Sequence, residues 1–264
     1  MTIHTRSETT VLAISICLML TACSSGSNNA SVTAAASCDT TAAQALQVCI
    51  GSVNAAQAAC YSEQDSACDD GNADIIDAQA TLQSTLKNSC TDGEFMGLSV
   101  DAAAGRLQAD CKAQPDSIAW RTFGGPQGAV WPSATPEQRD CLQTAHETAS
   151  QFFDDGLTAI NTCLAEETCD ASAVTRTQKA AAVSAAATIT AACPALADLI
   201  AVEPDTYVAM TEDQIDCSVA VLHDNVAPLD LTCGPSNVDV MPARGEWRMI
   251  VLDGDKWGTM CGDG

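Results

Sequence analysis

The sequence predicts an all-α, disulfide-rich region of two duplicated helical hairpin units, followed by the short β start of a further domain. Three observations support this prediction. Five cysteines recur at offsets of 101 to 106 residues, cysteines and apolar residues repeat at helical spacing, and aromatic residues make up only 4% of the chain. The five and their copies are Cys38, Cys60, Cys68, Cys90 and Cys111, repeated as Cys141, Cys163, Cys169, Cys193 and Cys217.

Residue spacing indicates the first helix of each copy. Cys38, Cys49 and Cys60 are eleven residues apart, which is about three turns at 3.6 residues per turn, so they share one helix face. In the second copy, Thr135 followed by Pro136 is typical of a helix start. The Asp-Asp-Gly run at 154–156 argues against an unbroken helix there.

A second helix follows in each copy, and the midpoints of the cysteine pairs predict the disulfides. The apolar stripe of this second helix ends at Cys90 in the first copy and at Cys193 in the second. The short polar connector between the two helices of each copy suits an antiparallel hairpin. Pairs that share a midpoint lie opposite each other in such a hairpin, so one staple falls near the turn and one near the open end. The predicted bonds are Cys38 to Cys90, Cys60 to Cys68, Cys141 to Cys193 and Cys163 to Cys169.

The remaining cysteines break the symmetry of the two copies. Cys49 has no counterpart in the second copy, where Phe152 stands at the matching position, so its bond is expected in the first copy alone. An odd number of thiols also leaves one cysteine without an intramolecular partner. The expected arrangement is Cys49 to Cys111 and Cys217 to Cys233, with Cys261 left over.

The amino terminus is typical of a secretory signal. Positive charge at Arg6 precedes an apolar run at 11–20 that is too short to span a bilayer. Residues 20–23, Leu-Thr-Ala-Cys, resemble the lipobox of bacterial lipoproteins, which implies cleavage before Cys23 and acylation of that cysteine. Because Ser24 follows, and not the Asp that retains such proteins on the inner membrane, the resemblance favours the outer membrane or cell surface. The alternative is an ordinary cleavable signal.

Composition limits the classes of partner. The net charge of −23 argues against nucleic acid and against docking on anionic lipid through basic patches. An acidic surface serves solubility, or recruits a cationic partner or divalent ions. With few aromatic residues the apolar core is thin, so covalent staples are expected to replace hydrophobic area, as export of the chain permits.

A search for catalytic and metal-binding patterns finds no complete set. His146 and His223 are isolated, no Cys-x-x-Cys or Gly-x-Ser-x-Gly motif occurs, and the calcium-like run at 70–74 lacks its glycine and its closing glutamate. We therefore expect no catalytic residue, metal or cofactor within the chain. Trp120 and Trp131, echoed by Trp247 and Trp257, either pack in a core or stack on sugar rings.

The carboxyl-terminal residues differ from the helical region. Residues 247–252 are typical of a strand, 253–255 of a turn, and the segment continues to Cys261-Gly262-Asp263-Gly264. This pattern resembles the opening of the pectin acetylesterase family, relatives of the Notum lipid esterase. The resemblance implies the start of an α/β-hydrolase domain whose catalytic residues all lie beyond residue 264, so that the chain is the amino-terminal part of a longer esterase.

These observations give a domain plan and two functional expectations. The first is an envelope-anchored lipoprotein whose helical region is a non-catalytic spacer or binding region in front of a carbohydrate esterase. The second is a stand-alone surface lipoprotein with a structural or binding role. In either case a polysaccharide and an envelope protein are the candidate partners, and the sequence names neither. The expected segments are a signal peptide at 1–22, a lipidated tether at 23–37, hairpin unit 1 with its linker at 38–133, hairpin unit 2 at 134–233, and a linker with the possible esterase start at 234–264.

Overall fold

The computed structural model describes residues 37–125, 130–166 and 168–223, together with residues 226, 229 and 231. These residues form helices and no strand, which confirms the all-α prediction for this part of the chain. The predicted β start at 247–252 lies outside the described residues. The helices are α1 (Cys38–Gln64), α2 (Ala73–Ser89), α3 (Val100–Phe123), α4 (Pro136–Ala165), α5 (Ala171–Ala192), α6 (Leu196–Ile200) and α7 (Pro204–Leu222), with a 3-10 turn at Trp131–Ser133 before α4.

Side-chain caps set where most of the long helices begin. An oxygen of the residue before the helix accepts a hydrogen bond from a backbone N–H of the first turn, which has no partner within the helix. At α4 the cap is reciprocal: Thr135 accepts from the Gln138 N–H, and the Gln138 side chain accepts from the Thr135 N–H. The predicted start at Thr135 and Pro136 is therefore confirmed. The other capping residues are Ser37, Asn72, Ser99 and Asp170.

Each repeat is a three-helix unit. Helices α1, α2 and α3 pack against one another in the first repeat, and α4, α5 and α7 do so in the second. The sequence predicts only the hairpins α1–α2 and α4–α5, so the hairpin description is incomplete. A third helix covers each hairpin because two alanine-rich helices alone cannot bury their apolar faces.

Disulfides tie each hairpin at both ends, in the pairs that share a midpoint. In the first repeat Cys38 is bonded to Cys90 and Cys60 to Cys68, with Cα atoms 5.2 Å apart in both. In the second repeat the Cα separations are shorter still. Cys141 and Cys193 are 4.6 Å apart and Cys163 and Cys169 are 4.8 Å apart.

The third helices are also held by cysteines. Cys49 in α1 is bonded to Cys111 in α3, across a Cα distance of 5.7 Å. In the second repeat the residue matching Cys49 is Phe152, which is buried. Cys217 in α7 is disulfide-bonded to a cysteine outside the described residues. The predicted partner, Cys233, lies outside the described residues, so that bond stays a prediction.

Helix α4 is continuous through the Asp-Asp-Gly run at 154–156, the part of the sequence that favours a helix least. Gly156 lies inside the helix and is buried, although glycine weakens an exposed helix interior. Its value is steric, because the missing side chain lets α7 approach α4. A residue that is unfavourable for the isolated helix is favourable for the packing of two helices.

The two repeats meet through α1 and α3 on one side and α4 and α7 on the other. Polar groups mark the α1–α4 contact, where the Gln47 amide donates to Asp154 Oδ1 at 2.8 Å and also bonds Thr158. The α3–α7 contact also contains buried polar side chains, since Arg121 bonds Thr211 and Asp110 bonds Ser218.

Candidate functional site

An aromatic cluster lies at the end of α3. The Phe123 ring is 4.7 Å from Tyr61, 5.0 Å from Trp131 and 4.9 Å from His146, measured between ring centroids. Trp131 is 4% exposed, and the guanidinium of Arg139 lies 5.2 Å from its ring. Of the two roles that the sequence leaves open for Trp131, the structure shows packing, because a ring this buried presents no face to a sugar.

A buried arginine joins α3 to α7. The Nη2 atom of Arg121 donates to Thr211 Oγ1 and to Gln214 Oε1, both at 2.9 Å. The guanidinium also stands 4.8 Å from the ring centroid of Tyr207, whose hydroxyl lies 2.5 Å from Thr122 Oγ1. Burial lowers the pKa of Arg121 below its ordinary value. Hydrogen bonds and the π face of Tyr207 offset part of the cost of placing this charge inside the protein.

A buried carboxyl lies further along the same interface. Asp110 accepts from Gln114 Nε2 and from Ser218 Oγ, both at 2.7 Å. Burial raises the pKa of Asp110, while these two hydrogen bonds and the charge of Arg106 oppose the shift. The Gln214 amide in turn donates a hydrogen bond to Gln114 Oε1 at 3.1 Å. Asp110 and Arg121 thus belong to one hydrogen-bonded set that links the repeats.

His146 in α4 faces the same region. It is 2% exposed, and burial together with the positive charge of Arg121 lowers its pKa to about 4. It is therefore neutral at pH 7, and its Nε2 atom has no hydrogen-bond partner among the described residues. The other described histidine, His223, bonds Asn161 Oδ1 at 2.9 Å. The two imidazoles occupy separate places, as the sequence predicts for isolated histidines.

A third polar set is internal to the first repeat. Asp116 in α3 accepts from Gln57 in α1 and from Lys112, each at 2.5 Å. Gln57 also accepts from the Cys68 N–H at 3.2 Å, beside the inner staple. These bonds hold the α1–α2 turn against α3. We interpret these buried polar groups as structural, since their hydrogen bonds connect side chains of neighbouring helices.

The feature best suited to bind another molecule is an open groove between α1 and α2. It encloses about 700 Å³ and runs along α1 from Thr41 to Ala59 and along α2 from Asp74 to Thr85. Its floor is apolar and contains many small residues, and its rim carries hydroxyls and two carboxylates. Val48, Ser52 and Asp77 of its lining are exposed, so the groove is open to solvent.

Some predicted functional residues lie outside the described part of the chain. These are Cys23, expected to carry lipid, together with Cys233 and the esterase-like segment at 247–264. Among the described residues no three His, Cys, Asp or Glu side chains are arranged to hold a metal ion. In the same part of the chain, no helix combines the length and the apolar character needed to cross a membrane.

Comparison of the chain with protein-family models, with curated proteins and with solved structures gave no match.

Sequence reasoning missed both the groove and the buried polar sets. The residues that line the groove recur every three or four positions along α1 and α2, and this helical period is visible in the sequence. Which face of the hairpin stays open depends on where α3 packs. No sequence pattern indicated the buried charges, because Asp and Arg side chains are expected at the surface.

Proposed function

We propose that this protein is a lipid-tethered lipoprotein of the bacterial cell envelope whose helical region is a non-catalytic binding or spacer module. One observation carries the proposal: disulfide-bonded cysteines lie within α1, α3, α4 and α7, and the bonds of Cys90 and Cys193 anchor the ends of α2 and α5. Such a framework persists in oxidising compartments outside the cytoplasm. The lipobox-like residues at 20–23 add the anchor.

The architecture supports a module that holds a fixed shape. Staples near both ends of each hairpin restrain its two helices, and each staple removes conformational entropy from the unfolded chain. The buried groups Asp110, Arg121 and His146 bond or pack between helices, and none of them lines the groove between α1 and α2. A rigid body of this kind suits the presentation of a surface or of a neighbouring domain.

Cys23→Ser tests the anchor. We expect the wild-type protein to sediment with membranes and to incorporate a labelled fatty acid, and the variant to be soluble and unlabelled. Cys17→Ser is the matched control, because it also removes a cysteine of the leader but leaves the lipobox intact. Membrane association and labelling that persist in Cys23→Ser would refute the lipoprotein proposal.

A second candidate follows from the segment at 247–264, whose pattern resembles the start of a pectin acetylesterase. In that case the helical region presents a carbohydrate esterase at the end of the tether. Sequencing the gene beyond codon 264 decides between the two. A reading frame that continues into a glycine-rich strand and a serine elbow supports the esterase, and a stop codon supports the stand-alone lipoprotein.

A further inference from the structure

We propose that the groove between α1 and α2 binds a cationic amphipathic helix of a partner protein. This extends the binding role proposed above by naming the partner's chemistry, but it does not depend on lipidation. It rests on the shape of the groove, on the state of its polar groups, on its charge and on a comparison of the two repeats.

The shape fits a helix. The α1 wall from Thr41 to Ala59 is about 27 Å long at 1.5 Å per residue, which matches a partner helix of about 18 residues. Staples at Cys38–Cys90 and Cys60–Cys68 hold the two walls near both ends, so the groove is preformed. A preformed site lowers the ordering cost of binding. A helix laid here would turn the three-helix unit into a four-helix bundle.

The groove offers apolar surface, and two of the four hydroxyls in its lining are already bonded to the backbone. Ser52 Oγ donates to the carbonyl of Val48, and Thr85 Oγ1 donates to the carbonyl of Thr81, both at 2.9 Å. Val48 itself is 65% exposed, which makes it one of three large apolar side chains left open to solvent among the described residues. Burial of this surface favours an apolar helix face over a strongly polar ligand.

The charge of the groove determines which residues suit the flanks of the partner helix. Asp74 and Asp77 are the only ionisable residues among those that line the groove, and neither takes part in a salt bridge among the described residues. Lysine or arginine beside the apolar stripe of the partner would pair with them. A second copy of this chain is disfavoured, because it would bring a net charge of −23 against the same carboxylates.

The second repeat shows that the fold does not require an apolar groove. Displacement by 103 residues places the exposed Gln151 and Thr162 where the first repeat has the exposed Val48 and Ala59. The second hairpin is stapled in the same way with these polar residues. The exposed apolar residues of the first repeat are thus not needed to form the hairpin, and a bound helix accounts for them.

The test uses the full, oxidised protein and two synthetic helical peptides of 18 residues. Both carry leucine along one face, and one has lysine and the other glutamate on its flanks. Val48→Arg places a positive charge in the groove, and Val183→Arg is the matched control, since Val183 is 72% exposed on α5 of the second repeat. Titration is followed by fluorescence anisotropy at two salt concentrations.

We expect the lysine peptide to bind the wild type and Val183→Arg equally, and Val48→Arg at least about tenfold more weakly, because a buried positive charge opposes docking and repels the lysines of the peptide. Asp74→Asn with Asp77→Asn should lower affinity about threefold or more and reduce its salt dependence. Equal binding to the two arginine variants would overturn the proposal, as would equal binding of the two peptides or no binding of either. Sedimentation that shows a dimer abolished by Val48→Arg would overturn it in favour of a second copy. None of these results bears on acylation of Cys23, so the two proposals fail separately.

Discussion

Gly156 of α4 lies so close to Ile215 of α7 that a Cβ atom at residue 156 would stand 2.6 Å from Ile215 Cδ1. Ile215 is wholly buried, so its side chain has little room to move aside. The contact joins the first and third helices of the second repeat. It explains why a glycine is placed in the interior of α4.

Gly156→Ala should therefore destabilise the protein. Overpacking of a core costs about 1 to 3 kcal/mol, which outweighs a gain of about 1 kcal/mol in helix propensity. The free energy of unfolding from guanidinium titration measures the net effect. Gly51→Ala is the control, because Gly51 is exposed in α1 and a Cβ atom added there would have no neighbour within 4 Å, so this change should stabilise. In an Ile215→Val background the cost of Gly156→Ala should shrink; an unchanged cost would contradict the steric explanation.

The buried imidazole predicts loss of stability in mild acid. His146 has a pKa of about 4 in the folded protein, against an ordinary value near 6.5 in the unfolded chain. Between these values only the unfolded state binds the proton, so stability is complete above pH 6.5 and falls as pH falls. From pH 7 to pH 5 the loss from this group is about 2 kcal/mol.

His146→Phe isolates that contribution, because phenylalanine keeps an aromatic ring against Phe123 and cannot titrate. The wild type should lose about 2 kcal/mol more than the variant between pH 7 and pH 5. Asp110 and Asp116 have raised pKa values, so each acts in the opposite direction, but both are present in the two proteins and cancel in the difference. Equal pH dependence of the two proteins would show that His146 is protonated without penalty in the folded state.

The disulfides should differ in how much they contribute to the free energy of unfolding. Cys49–Cys111 closes a separation of 62 residues and Cys60–Cys68 one of 8. By loop entropy the first contributes about 4 kcal/mol and the second about 2.5 kcal/mol. Replacement of each pair by alanine, followed by urea denaturation, measures the two losses. A larger loss for the short loop would indicate that contacts near the α1–α2 turn, such as the Gln57 bonds, matter more than chain entropy.

The bond of Cys217 can be mapped directly. We predict Cys233 as the partner because the two cysteines are close in sequence, while every other described cysteine has a partner within the described residues. Non-reducing peptide mapping of the oxidised protein should recover a peptide that joins residues 217 and 233. Recovery of Cys217 linked to Cys261 would contradict this pairing and the expectation that Cys261 is left over.

Much of the framework was predictable from spacing alone. The eleven-residue interval of Cys38, Cys49 and Cys60 indicates a helix, and the shared midpoints of the cysteine pairs indicate antiparallel hairpins. Both inferences use only the spacing of residues along the chain. The start of α4 at Thr135 is local in the same sense, because a cap is formed by residues three positions apart.

The third helices were not predictable in the same way. The buried face of α3 includes Asp110, Gln114, Asp116 and Arg121, so its apolar period is interrupted by polar residues. A polar residue becomes a core residue only when a partner from another helix satisfies it, as Ser218 does for Asp110. No local pattern near Asp110 or Ser218 indicates this contact, because the two residues are 108 positions apart.

The sequence by itself determined the helical class, the duplication and the pairs that share a midpoint, since each follows from spacing along the chain. Tertiary structure alone decided that each hairpin carries a third helix, that Gly156 serves an approach between helices, and that one face of α1 and α2 stays open as a groove. The physical reason is that burial is a property of assembled surfaces. A residue's spacing places it on a helix face, but only the packing of other helices decides whether that face meets a neighbour or water.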